Sequence, residues 1–472
     1  MIKKVALGFV ALVLAGVAYA YIAYADVGRA GSGYAAKNMC SGVYLSGFAP
    51  EDVQGQALVG ASDLLANATF TFDDENQRVS ARIFGLFERT AIVTPGIGCT
   101  LLPSGEYEAE MPVQALPDLP VPSDTAWPLG TAAPATTDRF DALLDEAFAE
   151  GQPEGPRNTK AIVVIHKGEL VAEKYAQGVE TNTPLLSWSM AKSVTALHTG
   201  ILVKDGLLDP AAPAPVPQWQ VDADDPRAAI TLDQLLRMSS GLTFNETYSA
   251  NTDVTQMLSN ERSAGGFAAS MPLAGEPDTI WAYSSGTTNI IAGINRRALG
   301  DTLQAAYTHS QERLFRPLSI RTAMFETDAN GTFIGSSYMY ASARDWARLG
   351  QFCLQDGVWE GERILPEGWM DYALTPTKAS DLNNYGAQFW LNRDPADPEK
   401  RRKFPSLPQD AYYMGGYQGQ IVLVIPSHAL IITRFGFTPA ENTGVEALAA
   451  GIIAQLESEE DTAAPEEALE AA

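Results

Sequence analysis

The sequence predicts an α+β fold: an antiparallel sheet built from both ends of one large domain, flanked by terminal helices, with a helical region inserted between. Three observations carry this. Residues 161–165 and 170–175 are apolar, β-rich runs on either side of the turn His166-Lys167-Gly168-Glu169, the pattern of a β-hairpin. Residues 420–425 and 429–435 flank Pro426-Ser427-His428 and read as a second hairpin near the other end. Between them, over 189–380, most apolar spacings are those of helices joined by loops.

The terminal helices are read from their stripes. Phe140, Leu143, Leu144, Ala147 and Phe148 mark one over 138–150, and 444–456 is striped in the same way. The chain has 472 residues, too many for one simple core, and the remainder divides by composition. Lys3 and Lys4 precede an unbroken small-and-apolar run over 5–25, so 1–25 reads as a signal peptide or a membrane anchor. The run has about the 20 residues a bilayer span needs. Residues 26–37 are small and polar, as in a linker. The stretch 38–115 holds short alternating runs and reads as a small β-rich extension. Prolines at 117, 120, 122, 128 and 134 mark 116–137 as an extended linker. The main domain covers 138–458. Residues 459–472 are acidic and almost free of large apolar side chains, the composition of a disordered tail.

Charge and cysteine usage restrict function. The formal net charge is −25, which excludes nucleic acid as a partner, since phosphate binding needs a basic surface. The leader places the rest of the chain outside the cytoplasm, periplasmic or held at the inner membrane through 5–25 and facing the periplasm. In such an oxidising compartment Cys40 and Cys99 can pair as a disulfide; otherwise they are two free thiols. Cys353 lies in a helix-like stretch and reads as a buried free thiol. No C-x-x-C or His/Cys cluster suggests a metal, and no cofactor is implied.

Helical spacing from Leu185 runs through Val194, Leu197 and Ile201 to a glycine stop at Gly206. Ser189 falls in its first turn and Lys192 three residues on, on the same face. A serine hydroxyl is a weak nucleophile without a neighbouring base, and a desolvated lysine can be that base. Alone, S-x-x-K is a weak signal, because a capping serine with a surface lysine after it looks the same. Two other elements give it context. Tyr283-Ser284-Ser285 lies in a loop just before a helix. Gly415 to Gln420 forms a glycine-rich corner opening the second hairpin, where the glycines allow a ligand to approach the backbone at Tyr417, Gln418 and Gly419. Histidine catalysis fits poorly: the four histidines lie in hairpin turns (His166, His428) or helices (His198, His309), with no G-x-S-x-G elbow.

In this order, S-x-x-K at 189–192, Y-x-S at 283–285 and the glycine-rich strand opening resemble the penicillin-recognising serine hydrolases. That superfamily holds class C β-lactamases, DD-peptidases, family VIII esterases and 6-aminohexanoate-dimer hydrolases. The flanks agree, with D-G-L-L-D at 205–209 and I-T-L-D-Q-L-L-R-M-S-S-G-L at 230–242. The resemblance spans 138–458 and implies a β-lactamase/DD-peptidase-like fold. It implies Ser189 as acylated nucleophile, Lys192 as base, Tyr283 as general acid/base and Ser285 as its network partner. The backbone N–H of Tyr417, with that of Ser189, would form the oxyanion hole. Tyr248 is similar to a substrate-contacting tyrosine of the 6-aminohexanoate-dimer hydrolases. One departure points to a branch: G-Y-Q-G-Q replaces the K-T-G of β-lactamases, whose lysine helps bind the substrate carboxylate. The resemblance therefore implies hydrolysis of an ester or amide of a small molecule or short peptide. The alternatives are a β-lactamase or DD-peptidase, or a non-catalytic envelope binding protein. Arg434, on the last strand, offers either a compensating charge or a structural arginine at the surface.

Overall fold

The two segments expected to be a separate leader and linker form one continuous helix, α1 (Ile2–Tyr44), in the computed structural model, which describes residues 2–103, 113–117, 119–120, 125–130, 138–439 and 442–470. The linker expectation for 26–37 fails for a packing reason. Ala30, Ser32, Ala35 and Ala36 are fully buried. A Cβ at Gly33 would stand 2.5 Å from the Ser259 carbonyl oxygen. Small residues here permit close approach between α1 and its neighbours, and a flexible linker has the same composition. Among the described residues no helix is long and apolar enough to cross a membrane.

Helix α1 lies across an antiparallel meander of β1 (Ala68–Asp73), β2 (Arg78–Ile83), β3 (Leu86–Thr94) and β4 (Gly98–Leu102). Alternation along β2 turns Val79, Ala81 and Ile83 toward Met39 and Cys40 of α1. Cys40 is disulfide-bonded to Cys99 of β4, and Cys353 is a buried free thiol. This N-terminal module is seated on the main domain through Glu326, which receives Lys37, the Ser41 hydroxyl and the Cys99 backbone N–H. Much of the proline-rich stretch, at 118, 121–124 and 131–137, lies outside the described residues. Its described parts are tied to the domain by arginines: Arg321 Nε donates to the Pro120 carbonyl, and Arg348 to those of Pro128 and Gly130.

The main domain opens with α2 (Asp141–Phe148) and the hairpin β5 (Thr159–His166) and β6 (Glu169–Tyr175). Lys167 and Gly168 both take positive φ (51° and 84°), the two-residue turn that matches strand twist. Helices α3 (Ala191–Lys204), α4 (Ser285–Ala298) and α5 (Ala343–Leu354) belong to the inserted region and its return. The chain then closes the sheet with β7 (Trp390–Leu391), β8 (Tyr412–Gly416), β9 (Gln420–Ile425) and β10 (Leu430–Gly436), and ends in α6 (Val445–Glu470). The six strands are antiparallel in the order β7-β8-β9-β10-β5-β6, so the two chain ends meet at β10 and β5. Each of the central strands buries both faces. Val163, Ile165, Val422 and Ile431 face α5 and the helical region, while Ile162, Val164, Leu423 and Ile432 face α2 and α6.

Two boundaries differ from the sequence expectation. Helix α6 does not stop at 458 but carries the acidic tail to Glu470, because Ala and Glu are strong helix formers and extend a helix already anchored by packing. Leu185 and Leu186, read as the start of a helix, are a short strand paired with Ala341 and Tyr340.

Candidate active site

The local chain around Ser189 is strained in a way the sequence does not show. Trp188 is fully buried and sits at φ 47°, a left-handed conformation costly for a bulky residue. The strain is held by aromatic packing. Trp188 lies against Tyr338 (5.7 Å between ring centroids), Tyr417 (5.7 Å), Tyr34 of α1 (6.0 Å) and Tyr248 (6.4 Å). A short 3₁₀ turn, Trp188–Met190, then feeds into α3, leaving Ser189 partly exposed and Lys192 buried in the first turn behind it.

Lys192 Nζ is held at three points. It lies 3.1 Å from Ser189 Oγ, 2.9 Å from Ser285 Oγ and 3.1 Å from the Ser336 carbonyl oxygen. The Tyr283 ring centroid is 4.8 Å from the same nitrogen. Thus Ser189, Tyr283 and Ser285 meet around the Lys192 amine, although the two motifs lie nearly a hundred residues apart. Tyr283 is positioned by the helix on its C-terminal side and by the rings around it. Ser284 caps α4 by accepting from the Thr287 N–H at 3.0 Å. Trp390 and Tyr385 pack against the Tyr283 ring at 5.1 and 5.7 Å.

The glycine-rich corner between β8 and β9 closes the site. A Cβ at Gly416 would stand 2.2 Å from the Ser187 carbonyl oxygen, so only glycine lets the strand end approach the Ser189 turn. Gln418 and Gly419 both take positive φ (58° and 84°), which turns the chain back into β9. Tyr417 stacks on Tyr248 at 5.3 Å with ring planes 6° apart, making an aromatic wall. Ser189, Glu246, Tyr248, Tyr283, Tyr417, Gln418 and Gly419 all line one open cleft of about 680 Å³, with Arg401, Arg402 and Lys403 on its rim.

Electrostatics suit the roles. Burial lowers the pKa of Lys192 to about 8, with the Glu246 carboxylate acting in the opposite direction. Burial, reinforced by Glu246, pushes the Tyr283 phenol well above its usual value, so it stays a proton donor through the physiological range. His198 and His309 face one another in a small separate cavity, held neutral by burial that lowers them to about 3 and about 4.

Two expectations are corrected or extended. Arg434 is not at the surface: it is fully buried and donates to the carbonyls of Arg157 (2.8 Å) and Gly419 (3.0 Å) and to the hydroxyls of Thr159 and Thr438. Its guanidinium braces the glycine-rich corner from behind and is not among the residues that line the cleft. Glu246, which no motif singled out, accepts both the backbone N–H (2.7 Å) and the hydroxyl (2.5 Å) of Ser285. An acidic residue in the loop Thr243-Phe244-Asn245-Glu246 has no local signal that separates it from a solvated turn.

The family described as Beta-lactamase matches residues 144–457, the domain that carries Ser189, Lys192, Glu246, Tyr283, Ser285 and Tyr417. The chain belongs to the β-lactamase family. It is a serine hydrolase of that family, with an N-terminal module lying outside the matched region. Among similar proteins, 6-aminohexanoate-dimer hydrolase of Paenarthrobacter ureafaciens is 26% identical over 278 residues, covering 53% of this chain and 69% of that one. Two solved structures share the fold. EstCE1, a hydrolase with promiscuous acyltransferase activity, superposes with a TM-score of 0.52 at 14% identity over 66% of this chain and 98% of its own. A penicillin-binding protein homolog from Caulobacter crescentus gives 0.51 at 17% identity over 68% and 99%.

Proposed function

We propose that this β-lactamase-family hydrolase cleaves linear esters or amides of small molecules or short peptides through an acyl-enzyme on Ser189. One observation carries the reading: Lys192 Nζ lies 3.1 Å from Ser189 Oγ, buried, with Tyr283 alongside. Neutral Lys192 takes the Ser189 proton as Oγ bonds to the substrate carbonyl carbon. The carbonyl π electrons move onto oxygen, which the backbone N–H groups of Ser189 and Tyr417 hold. As the tetrahedral intermediate collapses, the bond to the leaving group breaks and takes its electron pair. The proton returns from Lys192 through Tyr283 to that group. Water then repeats the sequence on the acyl-enzyme, releasing the acid and restoring Ser189.

The similarity to a 6-aminohexanoate-dimer hydrolase supports a linear amide or related ester as substrate. The catalytic corner Gly415–Gln420 carries no lysine, which weighs against efficient β-lactam turnover. We further propose that the protein works outside the cytoplasm. The Cys40–Cys99 disulfide and the Lys3-Lys4 leader support this, since disulfides persist in oxidising compartments.

The test is labelling with a fluorophosphonate probe beside turnover of p-nitrophenyl esters, linear amides and a chromogenic β-lactam. Ser189 takes the label, and Ser189→Ala loses both label and turnover. Turnover unchanged in Ser189→Ala rejects the reading, and faster hydrolysis of the β-lactam than of any linear substrate rejects the substrate class.

A further inference from the structure

We propose that Glu246 is a positioning residue that fixes the direction of proton flow between Ser189 and Lys192, acting through Ser285. The inference rests on the reading of Ser189 as nucleophile and Lys192 as base, and it comes from counting donors and acceptors. A neutral lysine amine has two N–H donors and one lone pair. The Ser336 carbonyl can only accept, and at 3.1 Å it takes one N–H. A serine hydroxyl has one donor and two acceptor sites, so Ser285 could face Lys192 either way round. Glu246 removes that freedom. Its Oε1 receives the Ser285 O–H at 2.5 Å, and its Oε2 the Ser285 backbone N–H at 2.7 Å. With its proton committed to the carboxylate, Ser285 Oγ can only accept from Lys192, 2.9 Å away, and takes the second N–H. The nitrogen lone pair is then left for the third neighbour, the Ser189 hydroxyl at 3.1 Å.

The two-point contact makes the carboxylate hard to replace. A glutamine at 246 offers one oxygen and one NH₂ group. The Ser285 backbone N–H is an obligatory donor, so it claims the oxygen. The NH₂ group then faces Ser285 Oγ and forces it to accept. The Ser285 proton turns to the Lys192 lone pair, and the base is occupied. Charge acts alongside. The titratable groups facing Glu246 are Lys192, Tyr248, Tyr283 and Tyr385. Burial raises the Glu246 carboxyl, while Lys192 and the bonds from Ser285 act the other way. Its negative charge in turn raises Lys192, against the larger effect of burial.

The experiment is the pH dependence of fluorophosphonate labelling of Ser189, and of ester kcat and KM, in wild type, Glu246→Gln, Ser285→Ala and the double variant. Wild-type labelling rises with pH to a plateau above about 8, as Lys192 loses its proton. Glu246→Gln lowers the plateau roughly 100-fold, in kcat more than KM, and shifts its rising limb to lower pH because Lys192 has lost a facing anion. Ser285→Ala lowers the plateau to a similar degree but leaves the limb nearer its place, since the carboxylate remains. The double variant is little worse than either single one, because both changes break the same relay. A wild-type plateau in Ser285→Ala overturns the proposal even if Glu246→Gln fails to fold. So does a limb in Glu246→Gln that stays put or rises, or full additivity in the double variant. Absence of wild-type labelling at every pH is a different result: it removes the nucleophile assignment itself, and this inference with it.

Discussion

The molecule buries two clusters of the same three residue types and wires them differently. In the seat of the N-terminal module, Lys37 pairs directly with the Glu326 carboxylate, while Ser41 bonds both partners, at 3.1 Å to Lys37 and 2.7 Å to Glu326. The Tyr338 ring lies 4.3 Å from the Lys37 ammonium, and the Cys99 N–H completes the carboxylate at 2.6 Å. In the cleft, a serine stands between lysine and glutamate: Lys192 meets Ser285, and Ser285 meets Glu246. Both lysines are buried to within 1% of full coverage. Direct contact with the Glu326 carboxylate favours the charged form of Lys37 against the larger effect of burial, which lowers it, and the pair is a structural pin across 289 residues of sequence. The interposed serine weakens the attraction enough for burial to bring Lys192 within reach of neutrality, which a general base requires.

The comparison can be broken from either side. Lys192→Met should lower ester kcat/KM by roughly three to four orders of magnitude with little loss of thermal stability, since no direct ion pair is broken. A large fall in melting temperature with activity retained would show that the cleft cluster is a pin as well. Lys37→Met should do the reverse. It leaves Glu326 buried without its cation, a loss of about 3–5 kcal/mol in urea unfolding, while the folded fraction keeps its kcat. Adding Glu326→Leu to Lys37→Met should recover most of that stability, because the buried charge is gone. Breaking Cys40–Cys99 by Cys40→Ser with Cys99→Ser should cost about 2–4 kcal/mol by freeing the loop in the unfolded chain, again without touching kcat. The smallest effect is expected where the module meets the turn that carries Ser189. Tyr34→Leu loses the stack on Trp188, worth about 0.5–1.5 kcal/mol, and should lower kcat a few-fold by loosening the strained residue beside Ser189. An unchanged kcat there would confine the module to a structural role.

Much of the cleft was legible because its parts are local. Ser189 and Lys192 are one helical turn apart, Tyr283 and Ser285 flank a capping serine, and the glycines of the β8–β9 corner mark a close backbone approach. The hairpins at both chain ends showed in period-two alternation and turn residues, and the terminal helices beside them pointed to one shared sheet, joined at β10 and β5. The reading failed where composition has two physical meanings. Small residues at 26–37 serve close helix packing as well as they serve a linker, and an Ala/Glu-rich tail can be solvated either as coil or as helix. Arg434 is a further instance: a charged residue on a strand is usually at the surface, and only its ring of oxygen acceptors explains why this one is not.

The sequence by itself determined which groups could react, since the proposed nucleophile, base and phenol lie in short motifs whose spacing local helix and turn geometry converts into position. Tertiary structure alone decided how they react. The basicity of Lys192 comes from burial by segments far along the chain, the orientation of the Ser285 proton comes from a loop carboxylate 39 residues away, and the support of Trp188 comes partly from a module outside the family domain. Proton affinity and hydrogen-bond direction depend on which distant groups share a water-poor space, and no local pattern of residues encodes that.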